Sequence, residues 1–501
     1  MQQSNVKNTK PYIYGRKEKR EMDMKSMSLL GDFYEFKAVN SYINAGLHTS
    51  EAEFDLVLRK LPCDCGYAVF AGLEQVCEYL QSLCYDDSVI GFLKSTGEFD
   101  QGLFNYLKSV HFSGTLKSVP EGSVVFPGEP ILTVRAPLAE AVLVETAILQ
   151  IVNYQSLVAT KSSRMVSAAR GLPIIEMGAR RANSSDSALY GARAAYIGGA
   201  ASTTCTLAGN NFNIPCAAIM PHSFVQSFGG EYEAFEKWVS HSYGQVVLTL
   251  DTYDTISSGT DNAIYALLNL LKNQSVSTAV RIDSGDIAYL SAKVRQKLDR
   301  VGLEECKIMA SGELNENKIR SLLNSGAPVD CFGVGEALVS DTAALGGVYK
   351  LAAVEEDGVM KPQIKLGESF RRVTLPGSKK LLRFYDRRTG RAIVDEVCLS
   401  EERLPRERHT VFDPHSTFKT KELVNFEVRE MLEPAIVRGE RVLPKRNLRD
   451  IRAHCARELE TLCSDVKRLD SPSEYYVDLS EKLWTLRRRM TGAKRSAFFL
   501  R

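Results

Sequence analysis

The chain has 501 residues, 44% of them hydrophobic and 25% charged, which is the composition of a globular protein long enough for two or more packed domains. A formal net charge of +2 gives no electrostatic footprint for nucleic acid or an anionic membrane, so neither is an expected partner, and only local basic sites for a small phosphorylated ligand remain. Eleven scattered cysteines, of which only Cys63 and Cys65 are close and without the further ligands of a zinc site, read as free thiols in a reducing cytoplasm.

Residues 1–26 are polar, lack a signal-peptide core and read as a disordered tail, whose GRKEKRE run is most simply a solvated charge run. No apolar stretch approaches the roughly 20 residues that span a bilayer. LLGDFYEFKAVNSYI predicts an amphipathic helix that begins near Asp32 and Tyr34. SVPEGSVVFPGEPILTVRAPL is turn-rich and alternating, the pattern of short antiparallel strands, and AEAVLVETAILQIVNYQSLVATKSSRM reads as a long helix.

From about residue 170 to 350 one rhythm returns: a short β-branched run, a polar or glycine tip, then a stretch of helical period. The predicted strands are PIIEMGARR, IPCAAIMPHS, VVLTLDTYD, AVRIDSGD, KIMASGEL and DCFGVGEA. Alternating strands and helices imply a parallel sheet, and polar residues at almost every strand tip suit a β/α barrel better than an open sheet. Beyond it, QIKLGESFRRVTLPGSKKLLRFYDRRTGRAIVDEVCLS returns to strands and hairpins, and DIRAHCARELETLCSDVKRL has the period of a packing helix. The expected organisation is therefore 27–150 as the first part of an α/β domain, 151–358 as the barrel, and 359–501 as the second part of the α/β domain with closing helices.

The strand tips carry the chemistry. RIDSGD sets Asp283 and Asp286 around a Ser-Gly turn next to Arg281, a pair able to hold a hydrated Mg²⁺ or ribose hydroxyls, or simply to form a turn with Asp286 as a helix N-cap. GARRA offers Arg180 and Arg181, either to an anion or to solvent, with charge-assisted hydrogen bonds of roughly 1.5–3 kcal/mol in the first case. Ser311, Gly312, Gly333 and Gly335 lie at two consecutive tips, where exposed N–H groups can cradle a phosphate or where glycine merely permits a tight turn. His222 follows another apolar run and reads as a nucleophile, a general acid or base, or a satisfied core histidine. Tyr34 can stack on a flat ligand or belong to its own helix.

Taken in order, GDFYEFKAVNSYI, GYAVFAGLEQV, EMGARRA, PHSFVQSF, LDTYDT, RIDSGDIA, SGELNENKI, GVGEALVSDTAALGGVYKL and TLPGSK resemble the nicotinate phosphoribosyltransferase family over about residues 29–380. The resemblance implies an irregular (β/α) barrel of the type II phosphoribosyltransferase kind plus an α/β domain built by both chain ends, working as a homodimer. It implies transfer of phosphoribose from phosphoribosyl pyrophosphate to nicotinate, giving nicotinate mononucleotide for NAD synthesis, with Mg²⁺ and with ATP as co-substrate. It further implies that His222 takes a phosphoryl group from ATP, that Arg281 holds the nicotinate carboxylate, that Tyr34 belongs to the aromatic pocket and Arg180 to the catalytic site, and that Asp283 and Asp286 lie near ribose and metal.

This sequence departs from the family pattern at three places. Ala218 and Ile219 replace the usual Gly-Thr before the histidine, and Pro221 precedes His222. Glu336 replaces the phosphate-cradle threonine, where a carboxylate about 5 Å from a phosphate costs on the order of 3 kcal/mol per unit charge at an effective dielectric near 20. RKLPCDCGY lacks the usual Asn-Pro-Phe. The first two departures leave a second reading open, a catalytically impaired paralogue serving as a regulatory or binding subunit.

Overall fold

The computed structural model describes residues 27–499 except 63, 243, 273–275, 341–344, 368–371 and 415. The expected tail at 1–26 and Cys63 therefore lie outside the described residues. Among those described, no helix is long and apolar enough to cross a membrane.

Six parallel strands form the barrel sheet, in the order Ser202–Thr203, Ile174–Glu176, Cys331–Val334, Lys307–Ala310, Thr278–Ile282 and Val246–Thr249. Five of them stand where the alternating rhythm predicts. The sixth does not: IPCAAIMPHS forms no strand, and its place in the order is taken by Ser202–Thr203, at the end of what reads as a helical stretch. Pro215 and Pro221 lack the N–H that a ladder needs. The segment instead crosses the gap between the two outer strands through scattered bonds. Thr203 N–H donates to Pro215 O at 3.0 Å and Ala217 N–H to Thr203 O at 2.9 Å on one side, and Thr249 Oγ1 donates to Met220 O at 2.6 Å on the other.

Alternation along each strand sorts the core. Val246, Leu248, Val280, Ile282 and Ile308 face outward and pack under the surrounding helices, for example against Leu267, Val294 and Leu298. Val247, Ala279 and Met309 face inward and, with Ile175, Met177, Ile219 and Cys331, make a small apolar floor inside the barrel. Arg281 and Ser311 stand two residues beyond Ala279 and Met309 and so project from the same inner face, above that floor.

The flanks pair with each other. A seven-stranded antiparallel sheet runs Val359–Pro362, Gly347–Glu356, Glu51–Leu58, Pro130–Pro137, Thr115–Ser118, Glu433–Val437 and Glu440–Arg441, so it joins the beginning, middle and end of the chain. Strand Gly347–Glu356, inside the span given to the barrel, pairs with Glu51–Leu58 in this sheet. The predicted hairpin appears as Lys379–Asp386 against Ala392–Leu399, flanked by Phe426–Glu430 and Val477–Leu479. Helix Glu145–Ala168 ties sheet to barrel: Asn153 accepts from Gly347 N–H at 3.1 Å, and Ser162 Oγ donates to Ala195 O at 2.7 Å in barrel helix Ser185–Ile197.

One buried cation fastens the end of the chain to its beginning. Arg383, fully buried, donates through Nη2 to Asp395 at 2.7 Å and to the Val124 carbonyl at 2.9 Å, and through Nη1 to Glu458 at 2.9 Å. Its guanidinium lies 5.4 Å from the Phe126 ring centre, and Phe126 stacks on Tyr475 at 3.9 Å. Glu129 completes the cluster at 3.7 Å; burial first, then the neighbouring Asp395, raises its carboxyl well above the usual range. Replacing Arg383→Met strands these carboxylates, and we expect a loss of about 3–5 kcal/mol, read as a lower urea midpoint. An unchanged midpoint contradicts the anchoring role.

Candidate functional site

The centre of the barrel mouth is a triangle of Arg281, Ser311 and Asp283. Arg281, its side chain 4% exposed, donates through Nε to Ser311 Oγ at 2.7 Å and pairs through Nη2 with Asp283. Ser311 Oγ in turn donates to Asp283 Oδ1 at 2.7 Å. Burial pushes the Asp283 carboxyl up, yet the Arg281 charge and the Ser311 and Arg281 hydrogen bonds outweigh it and hold the group below the ordinary carboxylate range. The turn around it is close: Gly312 has φ +91°, and a Cβ there would collide with the Asp283 carbonyl oxygen. Only glycine lets the Ser311 tip lie against the Asp283 tip.

His222 opens helix His222–Gln226 at the end of the irregular segment, with 37% of its side chain exposed. Among the readings open in the sequence, this removes the sequestered core histidine. Nδ1 lies 3.2 Å from Thr252 Oγ1, a contact that can fix the ring orientation. Nε2 faces two carboxylates, Asp283 Oδ2 at 3.7 Å and Asp251 Oδ1 at 4.0 Å, distances of ionic attraction rather than direct hydrogen bonds.

Asp251 is a residue that motif reading passed over. It lies two residues beyond strand Val246–Thr249, with a side chain 4% exposed. Oδ2 accepts from Asp283 N–H at 3.1 Å and Ser284 Oγ at 2.5 Å, whereas Oδ1 is buried with no hydrogen-bond partner among the described residues and points toward the imidazole. Its only sequence signal was its place in LDTYDT at a strand tip. Glu176 was missed too; it accepts from Gly178 N–H and Thr203 Oγ1 and so props the GARR turn from beneath.

The remaining candidates divide. Arg180 and Arg181 occupy a 3₁₀ turn, Ala179–Arg181, and both are exposed. Glu336 is exposed as well and pairs with Arg181 Nε at 3.8 Å, so its charge is met by a cation. Gly333 is a packing glycine, since a Cβ would collide with Met177 and Met309; Gly335 lets the chain pass the Met177 carbonyl oxygen. Ile219 packs on the apolar floor. Asp286 caps helix Ile287–Arg300 by accepting from Tyr289 N–H at 3.1 Å, the plain reading of its position. Tyr34 sits in helix Phe33–Asn44, half exposed; burial, then Glu145, Glu35 and Asp32, raise its phenol, and none of these groups belongs to the barrel mouth. Among the described residues, no three His, Cys, Asp or Glu side chains form a ready metal cage.

Comparison with known proteins follows the same lines. Two family models match, the nicotinate phosphoribosyltransferase N-terminal domain over residues 29–153 and the C-terminal domain over 378–487. The nicotinate phosphoribosyltransferase of Bacillus subtilis is 40% identical over 463 residues, covering 92% of this chain and 94% of that one. That of Caenorhabditis elegans is 32% identical, covering 91% and 92%. Among solved structures, human nicotinic acid phosphoribosyltransferase is similar with a TM-score of 0.79 at 28% identity, over 92% of this chain and 100% of that one. Nicotinate-nucleotide pyrophosphorylase from Pyrococcus furiosus shares the fold, with a TM-score of 0.67 at 22% identity over 91% and 99%.

Because the folded state holds Asp283 below its unfolded value, its ionised form contributes stability that is present above about pH 4 and is lost as pH falls through the folded value. Asp283→Asn is therefore expected to be less stable than the parent near neutrality, with the two curves converging as the solution is made more acidic. Urea midpoints across that range test this, and a constant gap between them counts against the linkage.

Proposed function

The chain belongs to the nicotinate phosphoribosyltransferase family, and from that premise we propose that it joins nicotinate to phosphoribosyl pyrophosphate, coupled to ATP hydrolysis through His222. The pyridine nitrogen bonds to the anomeric carbon of the sugar, the bond from that carbon to the pyrophosphate oxygen breaks, and nicotinate mononucleotide forms for NAD biosynthesis. The observation that carries the site assignment is the Arg281, Ser311 and Asp283 triangle with His222 Nε2 at 3.7 Å from its carboxylate.

Each part of the triangle suits the charge that the reaction moves. A guanidinium above an apolar floor recognises the nicotinate carboxylate while Ile219 and its neighbours meet the flat ring; an amide would give that guanidinium no opposite charge. Carboxylates at the sugar favour the positive charge that develops on the anomeric carbon. On this reading Ile219 replaces a hydroxyl contact with apolar surface.

For the ATP half-reaction, Nε2 of neutral His222 is the nucleophile at the γ-phosphorus, with the bond to ADP breaking as the N–P bond forms. Asp251 and Asp283 stabilise the positive charge the ring acquires on phosphorylation. Mg²⁺ fits this donor set as an ion carried mainly by substrate phosphates and anchored by one or two carboxylates, Asp283 and the unsatisfied Asp251 Oδ1 being suited to it. It would neutralise the departing pyrophosphate. The homodimer implied by the resemblance is part of the same proposal, as is the assignment of Arg180 to the catalytic site.

The impaired-paralogue reading drew on Glu336 and Ile219. The pairing of Glu336 with Arg181 gives that carboxylate a cation partner, and the contact of Ile219 with the floor gives its side chain an apolar place, which supports the enzyme reading over the paralogue one.

The test is nicotinate mononucleotide formation with and without ATP. Parent protein should form product, faster with ATP. His222→Ala should lose the ATP stimulation, and Arg281→Ala should raise the KM for nicotinate by about 10- to 100-fold, the value of one or two charge-assisted hydrogen bonds. Equal ATP stimulation in His222→Ala would falsify the coupling.

A further inference from the structure

A cavity of about 770 Å³ lies apart from the barrel mouth, walled by strands Glu51–Leu58 and Val477–Leu479 and by the segments around 126–128 and 472–476. No residue of the Arg281 triangle, nor His222, lines it. Its size is that of a site for an organic ligand. Much of its wall is apolar, with the partly exposed Val57, Val348, Leu375 and Val477 among its residues.

The ionisable groups on this wall differ in what they already hold. Asp55 accepts from Thr133 Oγ1 at 3.0 Å and pairs with Lys379 at 2.8 Å. Lys350 pairs with Glu145 at 3.7 Å, the Tyr475 hydroxyl donates to Asp395 at 2.8 Å, and Arg487 Nη2 donates to the Val373 carbonyl at 3.1 Å. Arg59, Lys60 and Glu474 are exposed to solvent. Asp478 differs from all of these. It is 5% exposed, and no hydrogen bond reaches its carboxyl from any described residue. Among the described residues, the charged groups that act on it are themselves carboxylates, Asp413 on the neighbouring hairpin and Glu396 on the adjacent strand, the latter joined to His409 Nε2 at 2.8 Å. Burial first, then these two neighbours, pushes Asp478 up to about 6.

A buried carboxylate that meets only other carboxylates among the described residues is a costly arrangement, and a cation placed against it would relieve both the desolvation and the repulsion. We propose that this cavity binds a small organic cation, with an ammonium group set against Asp478 and an apolar body packed on the partly exposed Val57, Val348 and Val477 side chains. The site is independent of the phosphoribosyl transfer proposed above.

Titration calorimetry on the full chain with tryptamine, beside its anionic and neutral counterparts indole-3-acetate and tryptophol, tests this directly. At about pH 7.5 tryptamine should bind at least about tenfold more tightly than either counterpart, and saturating nicotinate should not displace it. Asp478→Asn should lose about tenfold or more in tryptamine affinity while nicotinate mononucleotide formation stays unchanged. If that variant fails to fold, the parent alone decides: at about pH 5, where Asp478 is mostly protonated, its tryptamine affinity should fall by about tenfold. Equal affinity for tryptamine and tryptophol, displacement by nicotinate, no pH dependence, or no binding heat overturns the proposal.

Discussion

A guanidinium with no access to water sits where the end of the chain meets its beginning. Arg383 takes Asp395 from the next strand, Glu458 from helix Leu448–Thr461 and the Val124 carbonyl from the short strand Val124–Val125, so a single side chain sets the relative positions of three elements far apart in sequence. Such a charge survives burial only if every donor finds an acceptor and the surplus of negative charge is kept small. Raising Glu129 toward its neutral form serves the second condition, and Arg429, 3.6 Å from Glu458, adds a second cation at the edge. The antiparallel sheet that carries the barrel is closed by strands from both sides of this knot, so the placement of the barrel depends on chemistry outside it.

Within the barrel, strand alternation does the corresponding work. A residue two places beyond a floor residue projects to the same side, which is why Arg281 and Ser311 meet above Ala279 and Met309. The dense hydrogen bonding of the triangle is what makes a buried arginine tolerable before any carboxylate ligand arrives. Asp283 then serves two neighbours at once, with Oδ1 toward the triangle and Oδ2 toward His222, and couples the proposed nicotinate end to the proposed phosphoryl-transfer end through one carboxyl group.

The parts of this design that were legible in the sequence are those governed by local pattern. Five barrel strands, the helix Glu145–Ala168 and the hairpin of Lys379–Asp386 with Ala392–Leu399 follow from apolar periodicity and turn residues. IPCAAIMPHS misled because its apolar run has strand composition, while its prolines deny it a ladder. Ser202–Thr203 was hidden because two residues carry no period. Asp251 was unreadable for another reason: its importance is an orientation, an unsatisfied oxygen facing an imidazole, and orientation is a tertiary property. The Glu336 objection was sound electrostatics applied without its partner, since Arg181 comes beside it only in the fold.

The irregular segment at 214–221 gives the barrel an uneven stiffness. Strands held by a continuous ladder resist displacement along their whole length, whereas this stave is secured to its neighbours by a few separate bonds at Thr203 and Thr249. The rest of its hold is apolar, because Ile214 and Met220 are buried in the cores on either side of it. The histidine is thus mounted on a stave located by packing rather than by a ladder, whereas Arg281 stands on a strand bonded along both edges.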